Sequence, residues 1–311
     1  MLLITGATGA LGRLVTARLT GRDDVPPVVV GTRSPGPGQR RIDFDDPASL
    51  GPGPSSSPSS SSPSSSSASS SSPSFGLSGV DTVLMISAGA AEDDVVITRH
   101  EALISAAEKA GVRQIVYTSL SGDGDHLTYA LAHRWTERRL RDSSLQWTIL
   151  RNGLYAEFLA AVAAPGADGT IAAPLGEGRL AAVARADLAE VAARVAADSA
   201  AHAGKVYELV GEVALGGAEL AAAVGGTYEP SGLAATRAAI TAAGQALPFQ
   251  VPMLMSTYSS IAGGFMDGAS IGPRAAGALR TLLGRAPEPA LDVYARTVRA
   301  AQADHRAAQG A

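Results

Sequence analysis

Near the amino terminus, the run Gly6-Ala7-Thr8-Gly9-Ala10-Leu11-Gly12 places glycine at every third position. That spacing suits one chemistry in particular, the holding of a pyrophosphate. Between a strand and a helix, Gly6 permits the tight turn, Gly9 lets backbone approach the phosphates, and Gly12 lets the helix pack close to the strand. The phosphates then face the unsatisfied amides at the helix start. All seven residues are assigned to nucleotide binding, a purely structural turn being the alternative.

The choice of nucleotide falls to the end of the second strand, where a carboxylate would bind a ribose 2'-hydroxyl. The run Val28-Val29-Val30-Gly31-Thr32-Arg33-Ser34 has no carboxylate and carries an arginine. A planar guanidinium suits a 2'-phosphate, so NADPH is the expected cofactor; otherwise Arg33 is a solvated loop charge. Ligands in such sheets lie at the carboxyl ends of the strands. Topology therefore sets Asp43-Phe44 beside the adenine and Ser87-Ala88-Gly89 beside the nicotinamide ribose.

These residues need a scaffold, and the hydrophobic pattern supplies one. Leu2 to Thr5 reads as a strand and Leu11 to Leu19 as a helix with Leu11, Leu14, Val15 and Leu19 on one face. Val28 to Val30 and Arg41 to Phe44 follow as strands. Val80 to Ser87 has the continuous apolarity of a central parallel strand. A helix over Arg99 to Ala110, a strand over Gln114 to Thr118, a helix over Leu131 to Arg141 and a strand over Trp147 to Leu150 complete the alternation. The fold class is therefore α/β, a Rossmann-type doubly wound parallel sheet.

Past Asn152 the texture becomes Ala-rich. Helices over Asp187 to Ala197, Gly217 to Ala223 and Gly232 to Ala243, with a strand over Lys205 to Val210, read as a smaller α+β carboxyl-terminal lobe. The expected division is 1–155 for the nucleotide-binding domain and 156–311 for a lobe covering the substrate. In Pro248 to Gly272, Met253, Met255, Tyr258 and Phe265 are expected in core packing, with an apolar pocket the alternative. Residues 51–74 hold 16 serines among Pro, Gly and one Ala, too little apolar surface to offset ordering, and read as a disordered insert.

Composition narrows the function. The 311 residues carry 25 Lys plus Arg against 29 Asp plus Glu, and a net charge of −4 gives no electrostatic case for nucleic acid or a membrane surface. The absence of cysteine removes disulfides and thiolate chemistry, and the five histidines show no zinc spacing, so no metal is expected. With neither a signal core nor an apolar run of membrane-spanning length, a cytoplasmic protein is expected.

Several further stretches carry a family likeness: ITGATGALG at the start, Ala110-Gly111-Val112 leading into Val116-Tyr117-Thr118-Ser119-Leu120, and Leu150-Arg151-Asn152-Gly153-Leu154-Tyr155-Ala156-Glu157. Arg185-Ala186-Asp187, Gly204-Lys205-Val206-Tyr207-Glu208-Leu209 and Leu283-Gly284-Arg285 add to it. On these the sequence resembles the NmrA-like, atypical branch of the short-chain dehydrogenases, in particular its bacterial NAD(P)H:quinone oxidoreductases of the second type. The resemblance implies a monomer or small homo-oligomer that binds NADPH and passes hydride to a quinone. It also admits a cofactor-binding redox sensor without turnover, and fold alone does not choose.

Short-chain dehydrogenases usually carry Tyr-x-x-x-Lys, and the matching stretch here is Tyr129-Ala130-Leu131-Ala132-His133. The resemblance to the quinone reductases favours His133 as a cofactor contact over Tyr129 as proton donor. Four residues apart on a helix, the two share a face, so both are catalytic candidates; a ketone or enone reductase using Tyr129 is a further reading, and plain packing the alternative. Ser119 matches the family's catalytic serine loosely and is carried as a cofactor contact. Asn152, Gly153 and Tyr155 are the expected acceptor contacts: an amide donor, a close backbone approach and an aromatic wall, or else a turn and a packed tyrosine. His100 is expected to pack near the cleft and Asp187 to cap its helix.

Overall fold

The computed structural model describes residues 1–51, 76–88, 91–122, 126–271 and 277–309. The serine-rich insert, apart from Gly51, and Gly89 lie outside the described residues. The chain runs β1 (Leu2–Ile4), α1 (Ala10–Leu19), β2 (Val28–Thr32), β3 (Arg40–Arg41), β4 (Thr82–Ile86), α2 (Asp93–Ala110), β5 (Gln114–Leu120), α3 (Ala130–Arg141) and β6 (Gln146–Asn152). It continues through α4 (Ala156–Val162), β7 (Thr170–Ile171), α5 (Arg185–Ala197), β8 (Lys205–Leu209), α6 (Gly217–Val224) and β9 (Thr227–Tyr228). Four helices close it: α7 (Leu233–Ala243), α8 (Gln250–Ala262), α9 (Ala278–Leu283) and α10 (Ala290–Gln309).

Seven strands form one parallel sheet in the order β3-β2-β1-β4-β5-β6-β8. The period of two along each strand divides the apolar residues between two layers. Leu2, Ile4, Leu84, Val116 and Leu150 face α1 and α5, whereas Leu3, Val83, Met85, Ile115 and Tyr117 face α2 and α3. The strand order reverses between β1 and β4, which opens a crevice at the carboxyl ends of the strands. A third core of α4, α6, α8 and α10 residues, including Leu159, Met255, Tyr258 and Tyr294, forms the smaller lobe, where β7 and β9 pair on their own.

The doubly wound parallel sheet is present, with four departures in detail. The expected third strand, Arg41 to Phe44, is shorter and begins one residue earlier: β3 is Arg40–Arg41, paired with Gly31 and Thr32 of β2. Beyond it the Asp43 amide donates to Ser49 Oγ and the Asp46 amide to Asp43 O, which turns the chain away from the sheet. Helix α2 begins six residues earlier than expected, with Asp93 and Asp94 in a first turn where the helix dipole favours acids. Strand β8, read as part of the lobe, pairs with β6 in the main sheet, and α5 packs on α1 beneath it. The chain thus returns to the sheet after residue 155, so the layers do not follow the expected 155/156 division.

The fourth departure is Asp187. Helix α5 starts at Arg185 with Ala184 at its cap. Buried Asp187 instead accepts from Arg285 Nη2 at 2.8 Å and from the Glu288 amide at 2.6 Å, tying α5 to the chain beyond α9. Among the described residues no helix is long and apolar enough to cross a membrane.

Candidate active site

Two cavities meet at the carboxyl edge of the sheet. The first, about 650 Å³, runs along the glycine loop and across the ends of β2 and β3. Gly6 adopts φ +64°, which favours glycine, and a Cβ on Gly12 would lie 2.2 Å from Gly6 O. The loop and α1 therefore sit as close together as backbone allows. Gly6, Thr8, Gly9, Ala10, Leu11 and Gly12 line the groove; Ala7 does not, its side chain being buried in the core under the loop.

From the expected set the groove is also lined by Arg33, Phe44 and Ser87-Ala88. Arg33 is exposed at the rim beyond β2, and Phe44 is half-buried. Arg99 also lines it, holding Asp45 through two hydrogen bonds of 2.7 and 2.8 Å. Arg185 closes the other side, its guanidinium 4.7 Å from the centre of the Tyr155 ring. Its Nε is buried with no hydrogen-bond partner among the described residues, a donor that a phosphate or ribose oxygen would satisfy. The glycine cradle and this donor fit an NAD(P)H molecule. An arginine in the first turn of a helix opposes the helix dipole, and that misplaced charge is the signal sequence reading overlooked.

The second cavity, about 720 Å³, shares Ile86, Ser87 and Tyr155 with the first and extends under α7 and α8. Tyr129, His133, Ser119, Asn152 and Gly153 all line it. Sequence reading missed Thr118, Phe158, Ile240, Leu254 and Thr257, of which the last three come from helices more than 80 residues beyond β6. Met253 lines the cavity too, whereas Met255 and Tyr258 are buried in the lobe core and Phe265 is exposed, stacked on His126 at 4.3 Å. Met253 thus fits the pocket reading, Met255 and Tyr258 the core reading, and Phe265 neither.

Ser119 and His133, expected beside the cofactor, line only this second cavity. Ser119 Oγ donates to Glu137 Oε1 at 2.7 Å. That buried carboxylate also accepts from Arg151 at 2.9 and 2.7 Å, and Arg151 reaches Glu208 at 2.8 Å. Tyr129 caps the start of α3, its hydroxyl 3.0 Å from Thr257 Oγ1. Thr257 gives its own proton to Met253 O at 2.9 Å, so the bond runs from Tyr129 to Thr257. Burial pushes the Tyr129 hydroxyl above its ordinary pKa.

His133 is half-buried, with Nδ1 2.8 Å from Tyr117 Oη. Burial, helped by the Arg134 charge and opposed by Glu137, holds its pKa down to about 4, so it is neutral at pH 7. His100 is fully buried and accepts the Ala88 amide at Nε2, 3.0 Å away, which makes it a strut under the Ser87-Ala88 turn. Asn152 Oδ1 is buried without a hydrogen-bond partner among the described residues, and a Cβ on Gly153 would stand 3.1 Å from Leu209 O. Among the described residues no group of three or more His, Asp or Glu side chains could hold a metal ion.

Comparison with known proteins agrees with this geometry. Residues 70–199 match a family model described as NAD(P)H-binding. Quinone oxidoreductase 2 of Escherichia coli (strain K12) is 36% identical over 233 residues, 71% of this chain and 72% of that protein. The structure of an NADPH-dependent quinone oxidoreductase from Escherichia coli, complexed with NADPH, superposes with a TM-score of 0.76 at 31% identity, over 95% of this chain and 99% of that one. A Citrobacter sp. triphenylmethane reductase superposes with a TM-score of 0.77 at 24% identity, over 95% and 99% of the two chains, a likeness of fold. With its glycine loop, its parallel sheet and these relatives, the chain is an NAD(P)H-dependent oxidoreductase and belongs to the quinone oxidoreductase 2 family.

Proposed function

We propose that the chain uses NADPH to reduce neutral quinones and similar flat, uncharged electrophiles. The observation that carries this is the lining of the second cavity: Ile86, Leu120, Phe158, Ile240, Met253 and Leu254 dominate it, and among the described residues no Asp, Glu, Lys or Arg lines it. A charged acceptor entering it would lose hydration and meet no counter-charge, which costs several kcal/mol.

When bound, the cofactor supplies hydride, so that quinone, NADPH and one proton give hydroquinone and NADP+. The protein's part is to hold and shield. The glycine loop and Arg185 bind the pyrophosphate side, and Arg33 at the groove rim takes the 2'-phosphate. Tyr155 and Ile86 stand where the two cavities join, Asn152 and Gly153 edge the acceptor, and α7 and α8 exclude water. Hydride on an electron-poor ring leaves a stabilised anion that solvent can protonate, so no strong acid is required. Tyr129, whose proton is given to Thr257, fits that chemistry better than ketone reduction.

Steady-state assays with NADPH and NADH against a quinone series test the reading. A neutral 1,4-naphthoquinone should give a kcat/KM at least about tenfold above that of its 2-sulfonate. Tight NADPH binding without turnover of any quinone above background would refute it.

A further inference from the structure

Tyr117 lies behind the acceptor cavity, and none of the roles above uses it. It sits in β5, fully buried on the sheet face that packs against α2 and α3. Its ring meets His100 edge-on at 5.5 Å and lies tilted against His133 at 6.0 Å. Its hydroxyl is 2.8 Å from His133 Nδ1, and His133 lines the cavity with no described group bonded to Nε2. The direction of the Tyr117 bond therefore decides whether the cavity meets a donor or an acceptor.

The surrounding protons can be counted. Because His100 Nε2 accepts from Ala88, its proton is on Nδ1 and goes to Thr136 Oγ1 at 2.8 Å. Thr136 gives its own to Ala132 O at 2.7 Å. Burial raises the Tyr117 hydroxyl well above its ordinary range, in spite of the nearby Ser87 and Thr136 hydroxyls, so it keeps its proton. Neutral His133 has one N–H to place.

We propose that Tyr117 is a positioning residue: its hydroxyl donates to His133 Nδ1, which fixes the imidazole proton on Nε2 and presents the cavity with a hydrogen-bond donor for an acceptor oxygen. The inference rests on the reading of this cavity as the acceptor site. A neutral imidazole N–H is too weak an acid to surrender its proton. It stabilises the negative charge that gathers on the oxygen as hydride arrives, and water delivers the proton that completes the hydroquinone. The tautomer is set from the side of the ring away from the cavity, so it exists before any acceptor binds.

Nitrogen-15 NMR of the histidine side chains in the full chain with NADP+ bound tests this directly, His133 being assigned by the signals lost in His133→Asn. The expected spectrum shows a protonated Nε2 and a bare Nδ1. In Tyr117→Phe, which keeps the ring and removes the donor, the His133 nitrogen shifts should move. With a neutral quinone its kcat should fall about tenfold, while KM for NADPH stays within about twofold. A protonated Nδ1 in the unmodified protein, with Tyr117 turned instead to Ser87 or Thr136, overturns the proposal, as does a Tyr117→Phe enzyme of undiminished kcat. The spectrum is read without any acceptor, so its outcome is independent of whether quinones turn over.

Discussion

The two cavities, the groove proposed to hold nucleotide and the cavity proposed to hold acceptor, share Ile86, Ser87 and Tyr155 but are built in opposite ways. The groove is made of backbone and charge: a glycine loop seven residues long, with Arg33, Arg99 and Arg185 along its sides. The cavity is lined mainly by apolar side chains from the ends of β4 to β6 and from α4, α7 and α8, with His133 from α3, and has no Asp, Glu, Lys or Arg among its described lining residues. A constant ligand with phosphates can be held by fixed amides. An uncharged acceptor gives charge nothing to hold, so it is held mainly by shape with a few hydrogen bonds, and shape needs surfaces from several elements.

Substitutions that damage one half and spare the other sharpen this contrast. The largest effect is expected from Gly12→Ala, whose new Cβ would be driven against Gly6 O and Ala7 Cα, at 2.2 and 2.6 Å. Overpacking of that kind costs about 2 to 3 kcal/mol, on the order of 100-fold in NADPH affinity by fluorescence titration. Arg33→Ala comes next: NADPH binding should weaken by about 1 to 3 kcal/mol and NADH binding hardly at all. An equal loss for both would show that the 2'-phosphate lies elsewhere.

On the other side, Leu254→Glu sets a carboxylate into the apolar wall, and KM for a neutral quinone should rise about tenfold while the dissociation constant of NADPH is unchanged. A rise in both would mean that the two cavities are one energetic unit. The smallest effect is expected for Tyr129→Phe, whose kcat with quinones should stay within about threefold, since its proton already belongs to Thr257. A loss of 100-fold would restore Tyr129 as the proton donor.

The groove was legible because its parts are neighbours in the chain. Glycine spacing between a strand and a helix carries its own geometry, and the six residues of Gly6 to Gly12 other than Ala7 all line the groove, while Ala7 turns its side chain into the core. His133, Asn152, Gly153 and Tyr155 were legible as positions at strand ends and on one helix face. Their partners were not. Ser119 is held by Glu137 and Tyr129 by Thr257, pairs 18 and 128 residues apart. Tyr117 reads as one more apolar strand residue until the sheet face it occupies puts its hydroxyl against His133.

Sequence by itself determined the parallel α/β sheet, the nucleotide loop and the arginine beyond the second strand. Those follow from local rules, the period of side chains and the conformations open to glycine, that act within a few residues. Only the tertiary structure decided that β8 returns to the main sheet, that α7 and α8 roof an uncharged cavity, and which protons around His133 and Tyr129 are already spoken for. These depend on long-range packing, and a hydrogen bond between distant residues leaves no spacing for a sequence to show.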